Sequence, residues 1–225
     1  MALIELKSVS KIYPLGNQEV VAVKDFSLSL DAGEFCVLAG PSGSGKTTLL
    51  NLIGCLDQPS SGEVWLDGQN VTTAGEKTLA DLRLNKIGFI FQSYNLIPVL
   101  TAAENAEFTL MLMGVGKKKR RERVLTLFSE LGLEGLENRK PSDLSGGQQQ
   151  RVAIARAMVA QPAVILADEP TASLDSQASE ELMTLMQKLN TERNATFIFS
   201  SHDPLVIAHG KRVVKLLDGH LEADQ

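Results

Sequence analysis

The sequence predicts an α/β protein: a sheet of buried, largely parallel strands between helices, a second antiparallel sheet, and a helical block inserted into the core. Three observations carry this. Short continuous apolar runs, "FCVLAG" at 35–40, "IGFIFQ" at 87–92, "AVILAD" at 163–168 and "TFIFSS" at 196–201, read as strands buried on both faces. Helical patterns, "KTTLLNLIGCL" at 46–56, "QQQRVAIARAMVA" at 148–160 and "ASEELMTLMQKLN" at 178–190, lie between them, as in a parallel sheet covered by helices. Strict apolar–polar alternation marks "FSLSL" at 26–30, with Phe26, Leu28 and Leu30 on one face, and "GEVWLDG" at 62–68. Such strands belong to an antiparallel sheet with one wet face, built from the N-terminal stretch and the later hairpin.

From about 93 to 152 the alternation of strand and helix gives way to mostly helical sequence. The strands on either side must share one sheet, so this block is an insertion, and residues 1–225 form a single domain. With 225 residues, 44% of them apolar, the chain can bury a core without covalent staples. Cys36 lies in an apolar strand pattern and Cys55 at the end of an apolar helix pattern; neither has a Cys or His nearby at metal spacing. Both are expected to be small core residues in a reducing compartment.

A formal charge of -5 argues against general binding of nucleic acid, which needs a basic face. The one basic run, "KKKRRER" at 117–123, reads as a solvated helix start, the alternative being contact with anionic headgroups beside a membrane partner. No apolar run approaches the roughly 20 residues of a spanning helix. The amino terminus "MALIELKSVSK" has no signal-peptide core, so the expected location is the cytosol.

The strongest motif is "GPSGSGKT", a phosphate-loop pattern that leaves an apolar strand and opens an amphipathic helix. Its residues, Gly40, Pro41, Ser42, Gly43, Ser44, Gly45, Lys46 and Thr47, with Thr48 after them, are the candidate phosphate cradle. Backbone N–H groups of Gly43 to Thr48 converge on phosphate oxygens only where no β-carbon crowds the turn, and the helix N-terminus adds its dipole. Lys46 would reach the β and γ phosphates, and the Thr47 hydroxyl would ligate Mg²⁺. The run "VILADE" adds Asp168 to hold the metal's shell. Glu169 follows and must stay free to orient and deprotonate the attacking water. Gln92 closes "IGFIFQ" and His202 follows "TFIFSS", so both are expected at the sheet edge where α/β proteins bind ligands. His209 and His220 have no such placement and are assigned to the surface.

A second anion-binding loop appears in "LSGGQ" at 144–148. Ser145, Gly146, Gly147 and Gln148 at a helix start can present a hydroxyl and N–H groups to a γ-phosphate. No lysine or acid serves a second nucleotide there, so this loop is expected to complete the site of another copy of the chain, two copies enclosing two ATP molecules.

These motifs, in this order over essentially the whole chain, resemble the ATP-binding cassette ATPases. The resemblance implies that Tyr13 in "KIYPLG" stacks on adenine, that Thr47, Gln92 and Asp168 surround Mg²⁺, that Glu169, His202, Lys46 and Gln92 serve hydrolysis, and that Asp175 in "SLD" lies at the dimer contact. It implies the phosphate-loop fold of that family, with a mixed sheet core, an antiparallel β subdomain and a helical subdomain. It also implies an ATPase that closes as a homodimer on ATP and drives membrane permease subunits from the cytoplasmic face of the inner membrane. Membrane contact comes through those partners only, and residues 93 to about 107 carry the motion to them. "GPSGSGKTTLLNLIGCLDQPSSGEVWLDG" and neighbouring stretches resemble the nucleotide-binding subunits of the macrolide-exporter and lipoprotein-releasing group, in which the work is often done on a substrate beyond the membrane. Ser173 departs from the family's more usual Asn before Leu-Asp. No membrane segment is fused here, so the permease is expected to be a separate chain. Soluble family members acting on nucleic acid or ribosomes carry two cassettes or a long coiled-coil insertion, and this chain has neither. A non-hydrolysing ATP sensor is disfavoured by the intact Lys46, Asp168, Glu169 and His202.

Overall fold

The structure, a computed structural model, describes residues 2–16 and 18–225. Five parallel strands make its centre: β3 (Phe35–Ala39), β6 (Ile87–Ile90), β7 (Val164–Asp168), β8 (Thr196–Ser201) and β9 (Arg212–Leu217). With β10 (His220–Asp224), which pairs antiparallel with β9, they form a six-stranded sheet in the order β10-β9-β3-β8-β7-β6. A four-stranded antiparallel sheet, β2-β1-β4-β5, is built from β1 (Ile4–Leu15), β2 (Gln18–Leu30), β4 (Ser61–Leu66) and β5 (Gln69–Asn70). The helices are α1 (Lys46–Ile53), α2 (Glu76–Lys86), α3 (Ala102–Leu112), α4 (Lys117–Glu130), α5 (Gly146–Met158), α6 (Ser176–Arg193) and α7 (Pro204–His209).

The two-sided burial of β3 shows how the layers stack. Cys36 and Leu38 face a core shared with α1 and the antiparallel sheet, including Val9, Phe26, Leu30, Leu49 and Leu66. Phe35, Val37 and Ala39 face the other core, filled by α3–α6 through residues such as Ala106, Phe128, Val152 and Met186. The period of two along a strand sends successive side chains into opposite layers, and each fully buried large side chain stabilises the fold by about 1.5–3 kcal/mol. On the second face Phe35 and Phe199 meet with ring centroids 4.6 Å apart. Phe26, Leu28 and Leu30 are buried and Ser27 and Ser29 exposed, as their alternation predicts.

The elements differ from the sequence expectations in particular places. Helix α1 stops at Ile53, short of 56, because Gly54 caps it and Cys55 turns left-handed at φ 55°. Strand β6 ends at Ile90, so Gln92 lies on the loop beyond it. The boundary at 152 falls inside α5, which runs unbroken to Met158 beneath the sheet; the helical block shares this helix with the core. His209 is half-buried at the surface: its side chain is 15% exposed and its Nε2 lies 3.1 Å from Oε1 of the exposed Glu180. His220 is exposed, and Cys36 and Cys55 are buried free thiols. Lys117, Lys118 and Lys119 are exposed on the first turn of α4. Among the described residues no helix is long and apolar enough to cross a membrane.

Candidate nucleotide site

The parallel sheet brings the C-terminal ends of β3, β8 and β7 side by side, and the loops leaving them line a cavity of about 420 Å³. Ser42, Gly43, Gly45, Lys46, Thr47, Thr48, Gln92, Asp168, Glu169 and His202 all border it. The loop from Gly40 to Gly45 can make this turn only with glycine at key places. Gly45, the N-cap of α1, has φ 100°, and a β-carbon there would strike the carbonyl of Ala22. Lys46 is buried and donates from Nζ to the carbonyls of Gly40 (2.7 Å) and Pro41 (3.0 Å). Those acceptors are neutral, and an anionic oxygen would be the stronger partner for the ammonium.

Thr47 and Asp168 meet across the cavity, the threonine hydroxyl lying 3.1 and 3.2 Å from the two carboxylate oxygens. A hydroxyl and a carboxylate converging beside a phosphate cradle are hard oxygen donors of the kind Mg²⁺ takes, the rest of its shell being water and phosphate. Gln92 borders the same cavity, but among the described residues it hydrogen-bonds only through its carbonyl, which accepts from Ser173 Oγ at 3.4 Å.

Glu169 is held more tightly than its sequence context predicts. Its φ is 45°, its N–H donates to the Ser200 carbonyl, and both carboxylate oxygens are engaged: Oε2 accepts from Ser201 Oγ at 3.0 Å and Oε1 lies 2.7 Å from His202 Nδ1. Both contacts arise because β8 runs directly beside β7 and delivers Ser201 and His202 to the carboxylate. Ser201 escaped sequence reasoning, although the polar pair ending an otherwise aromatic strand was a usable signal.

Tyr13 is not among the residues bordering the cavity; Val20, Val21 and Ala22 of β2 are. Its hydroxyl donates to Asp57 Oδ2 at 2.8 Å, while Lys11 Nζ donates to Asp57 Oδ1 and lies 4.9 Å from the Tyr13 ring centroid. Burial and the Asp57 hydrogen bond push the Tyr13 hydroxyl above its ordinary pKa. Partial burial pushes the Asp57 carboxyl up, but hydrogen bonds from Lys11, Tyr13 and the Gln58 N–H outweigh it and hold the group below the usual carboxylate range.

A second cavity of about 450 Å³ is bordered by Ser145, Gly146, Gly147, Gln148, Arg151, Ser173 and Asp175. Ser145 caps α5 in a reciprocal box: its hydroxyl accepts from the Gln148 N–H at 3.3 Å, and Gln148 Oε1 accepts from the Ser145 N–H at 2.9 Å. This leaves the Ser145 hydroxyl proton and the N–H groups of Gly146 and Gly147 at the helix start. Asp175 caps α6, accepting from the Ala178 N–H at 2.8 Å. Among the described residues the two cavities share no bordering residue; Ala172 borders the first and Ser173 the second.

Arg156 of α5 donates to the carbonyls of Tyr94 and Asn95, which stand consecutively in the left-handed region at φ 59° and 51°. The guanidinium fixes the loop that carries Gln92. Sequence reasoning did not single Arg156 out, because an arginine on a helix reads as a solvated residue.

The family model described as ABC transporter matches residues 23–172. The chain belongs to the ABC transporter family. Curated relatives of this ABC protein include the macrolide export ATP-binding/permease protein MacB of Photorhabdus laumondii, 47% identical over 99% of the chain, and the uncharacterized ABC transporter ATP-binding protein MJ0796 of Methanocaldococcus jannaschii, 46% identical over 99%. The ABC chain spans 97% of MJ0796 but only 34% of MacB, about a third of that protein. Its fold matches the dimeric structure of the MJ0796 cassette in a post-hydrolysis state bound to ADP and Pi, with a TM-score of 0.90 at 45% identity, over 99% of this chain and 97% of that one. It also matches cbiO1 of Clostridium perfringens, part of the transporter complex cbiONQ, with a TM-score of 0.89 at 27% identity over 99% and 88% of the two chains.

Proposed function

We propose that this chain is the ATP-hydrolysing subunit of an ABC transporter, that two copies enclose each ATP, and that their closing and reopening drive a membrane permease of the MacB kind. The observation that carries the reading is the division of labour between the two cavities. One has Lys46 with Asp168 and Glu169, the other has Gly146 and Gly147 at a helix start and no lysine, and among the described residues none borders both. In this reading Gly40, Pro41, Ser42, Gly43, Ser44, Gly45, Lys46, Thr47 and Thr48 hold the phosphates of one nucleotide. Ser145, Gly146, Gly147 and Gln148 of the second copy close over its γ-phosphate, with Asp175 at the contact between copies. Thr47 and Asp168, with Gln92 at the wall, would hold Mg²⁺, which supplies charge compensation for the phosphates when bound. Glu169 orients a water and takes its proton; Ser201 and His202 hold that carboxylate in place, and His202 keeps its second ring nitrogen for a phosphate oxygen. The permease assignment is supported by MacB, whose matching third is the region like this chain.

The test is the dependence of specific ATPase activity on protein concentration. A site shared by two copies predicts that activity per protomer falls as the protein is diluted below its pairing concentration. Activity per protomer unchanged by dilution overturns the two-copy site. Gentle solubilisation of membranes containing the tagged chain should recover an integral membrane protein with it; recovery of soluble proteins alone overturns the permease assignment.

A further inference from the structure

The same helix that meets the phosphates at one end carries, past its other end, a clamp that the nucleotide reading does not use. Asp57 lies four residues beyond the end of α1. Its Oδ2 accepts from the Tyr13 hydroxyl at 2.8 Å, and its Oδ1 accepts from Lys11 Nζ and, at 2.7 Å, from the Gln58 N–H. Lys11 donates again to the Gln58 carbonyl at 2.8 Å, with its side chain only 13% exposed. Nearby, Ser60 ties the loop to β1, its Oγ accepting from the Ile12 N–H at 3.0 Å and its N–H donating to the Ser10 carbonyl. The ammonium of Lys11 stands 4.9 Å from the centre of the Tyr13 ring, so the ring is fixed by its hydroxyl at the tip and by a cation on one face.

The ring also has a place relative to the candidate site. Tyr13 pairs with Val20 across the β1–β2 ladder, so the two side chains share a face of the sheet. Val20 and Val21, 45% and 47% exposed, overhang the cavity that holds Lys46 and Thr47. Thr48, on the first turn of α1, borders the same cavity. The hairpin that carries Tyr13 forms one wall of that cavity through Val20, Val21 and Ala22.

We propose that Lys11 and Asp57 are positioning residues for base recognition: together they lock the Tyr13 ring, from its tip and one face, as a stacking platform for the base of a purine nucleoside triphosphate. The inference rests on the nucleotide reading given above and adds to it the residues that set the base's place. A free tyrosine would lose rotamer freedom on stacking; this one has already lost it, and a base–aromatic stack gains most where the ring is held in advance. Because α1 joins the phosphate loop to the Asp57 loop, the platform keeps a fixed distance from the phosphates.

Binding of ATP, CTP and inorganic tripolyphosphate to the whole chain, measured by calorimetry, separates the possibilities. Lys11→Met and Asp57→Asn are expected to weaken ATP about 3- to 30-fold, the range for a cation–π contact and a base stack, and to shrink the preference for ATP over CTP. Tripolyphosphate, which has no base, is expected to bind each variant as it binds the parent, and Lys11→Arg, which keeps the cation and its donors, is expected to restore ATP affinity. Parallel loss of ATP and tripolyphosphate would mean that the substitutions act on the phosphate loop, and unchanged ATP affinity would mean that the clamp does not matter to the base; either result overturns the proposal. Failure of the parent protein to bind ATP would instead overturn the nucleotide reading itself.

Discussion

The two cavities use their glycines for opposite reasons. In the first, the chain itself demands them: Gly43 and Gly45 stand at φ 84° and 100°, and β-carbons at Gly40 and Gly45 would collide with the carbonyls of Leu216 and Ala22. In the second, Gly146 and Gly147 begin a helix and neither has positive φ. A β-carbon at Gly146 would press on the Tyr94 hydroxyl at 2.9 Å, but one at Gly147 would meet nothing within 4 Å. Glycine is a poor helix residue, costing about 1 kcal/mol relative to alanine. At Gly147 no neighbour among the described residues accounts for it, which agrees with the proposed approach of a second copy. Packing within the chain thus accounts for glycine at Gly40 and Gly45 and does not account for it at Gly147, which is the contrast expected if the second cavity is half of the proposed site.

The sharpest break between them is chemical. Glu169→Gln should lower turnover about 10²- to 10⁴-fold, the usual contribution of a positioned base, while ATP binding survives and paired protomers accumulate. Phosphate release and size-exclusion elution with ATP measure the two effects; turnover at the parent rate would remove Glu169 from the role of base.

Next in size is a structural contrast. Gly45→Ala should destabilise the chain by about 1–3 kcal/mol through left-handed strain and the Ala22 carbonyl, lowering Tm by roughly 2–12 °C in a protein of this size. A thermal melt reads this directly, and an unchanged Tm would mean that the loop tolerates a side chain.

Much of this contrast was visible in the residues, and what was hidden was hidden for physical reasons. Strands β3, β7 and β8 announce themselves as continuous apolar runs because they are buried on both faces. Strand β9 does not: its buried positions alternate with exposed ones such as Lys215 and Leu217 near the sheet edge. Helix α2 buries only Leu79, so it has no apolar stripe for periodicity to find. At the site, Lys46, Thr47, Asp168, Glu169 and His202 were legible because their chemistry is local to short motifs. The grip of Ser201 on Glu169, the Arg156 strap and the Lys11–Tyr13–Asp57 clamp were not, since their partners lie 32 to 62 residues apart and depend on strand order and loop path.

Gly147→Ala tests the half-site claim with the smallest change. A methyl group there meets no atom of the described residues within 4 Å, and alanine favours the helix, so Tm should hold or rise by a few degrees. If a second copy's phosphate must approach this backbone, the same methyl group stands in its way, and ATP-driven pairing and turnover should both fall, by about tenfold for a loss near 1.4 kcal/mol of closed-state stability. ATP binding to the dilute, unpaired protomer should be unchanged, because Lys46 and its loop lie in the other cavity. A variant that keeps full turnover would show that nothing closes over Gly147. One that loses ATP binding as a single protomer would show that the two cavities are not independent within the chain.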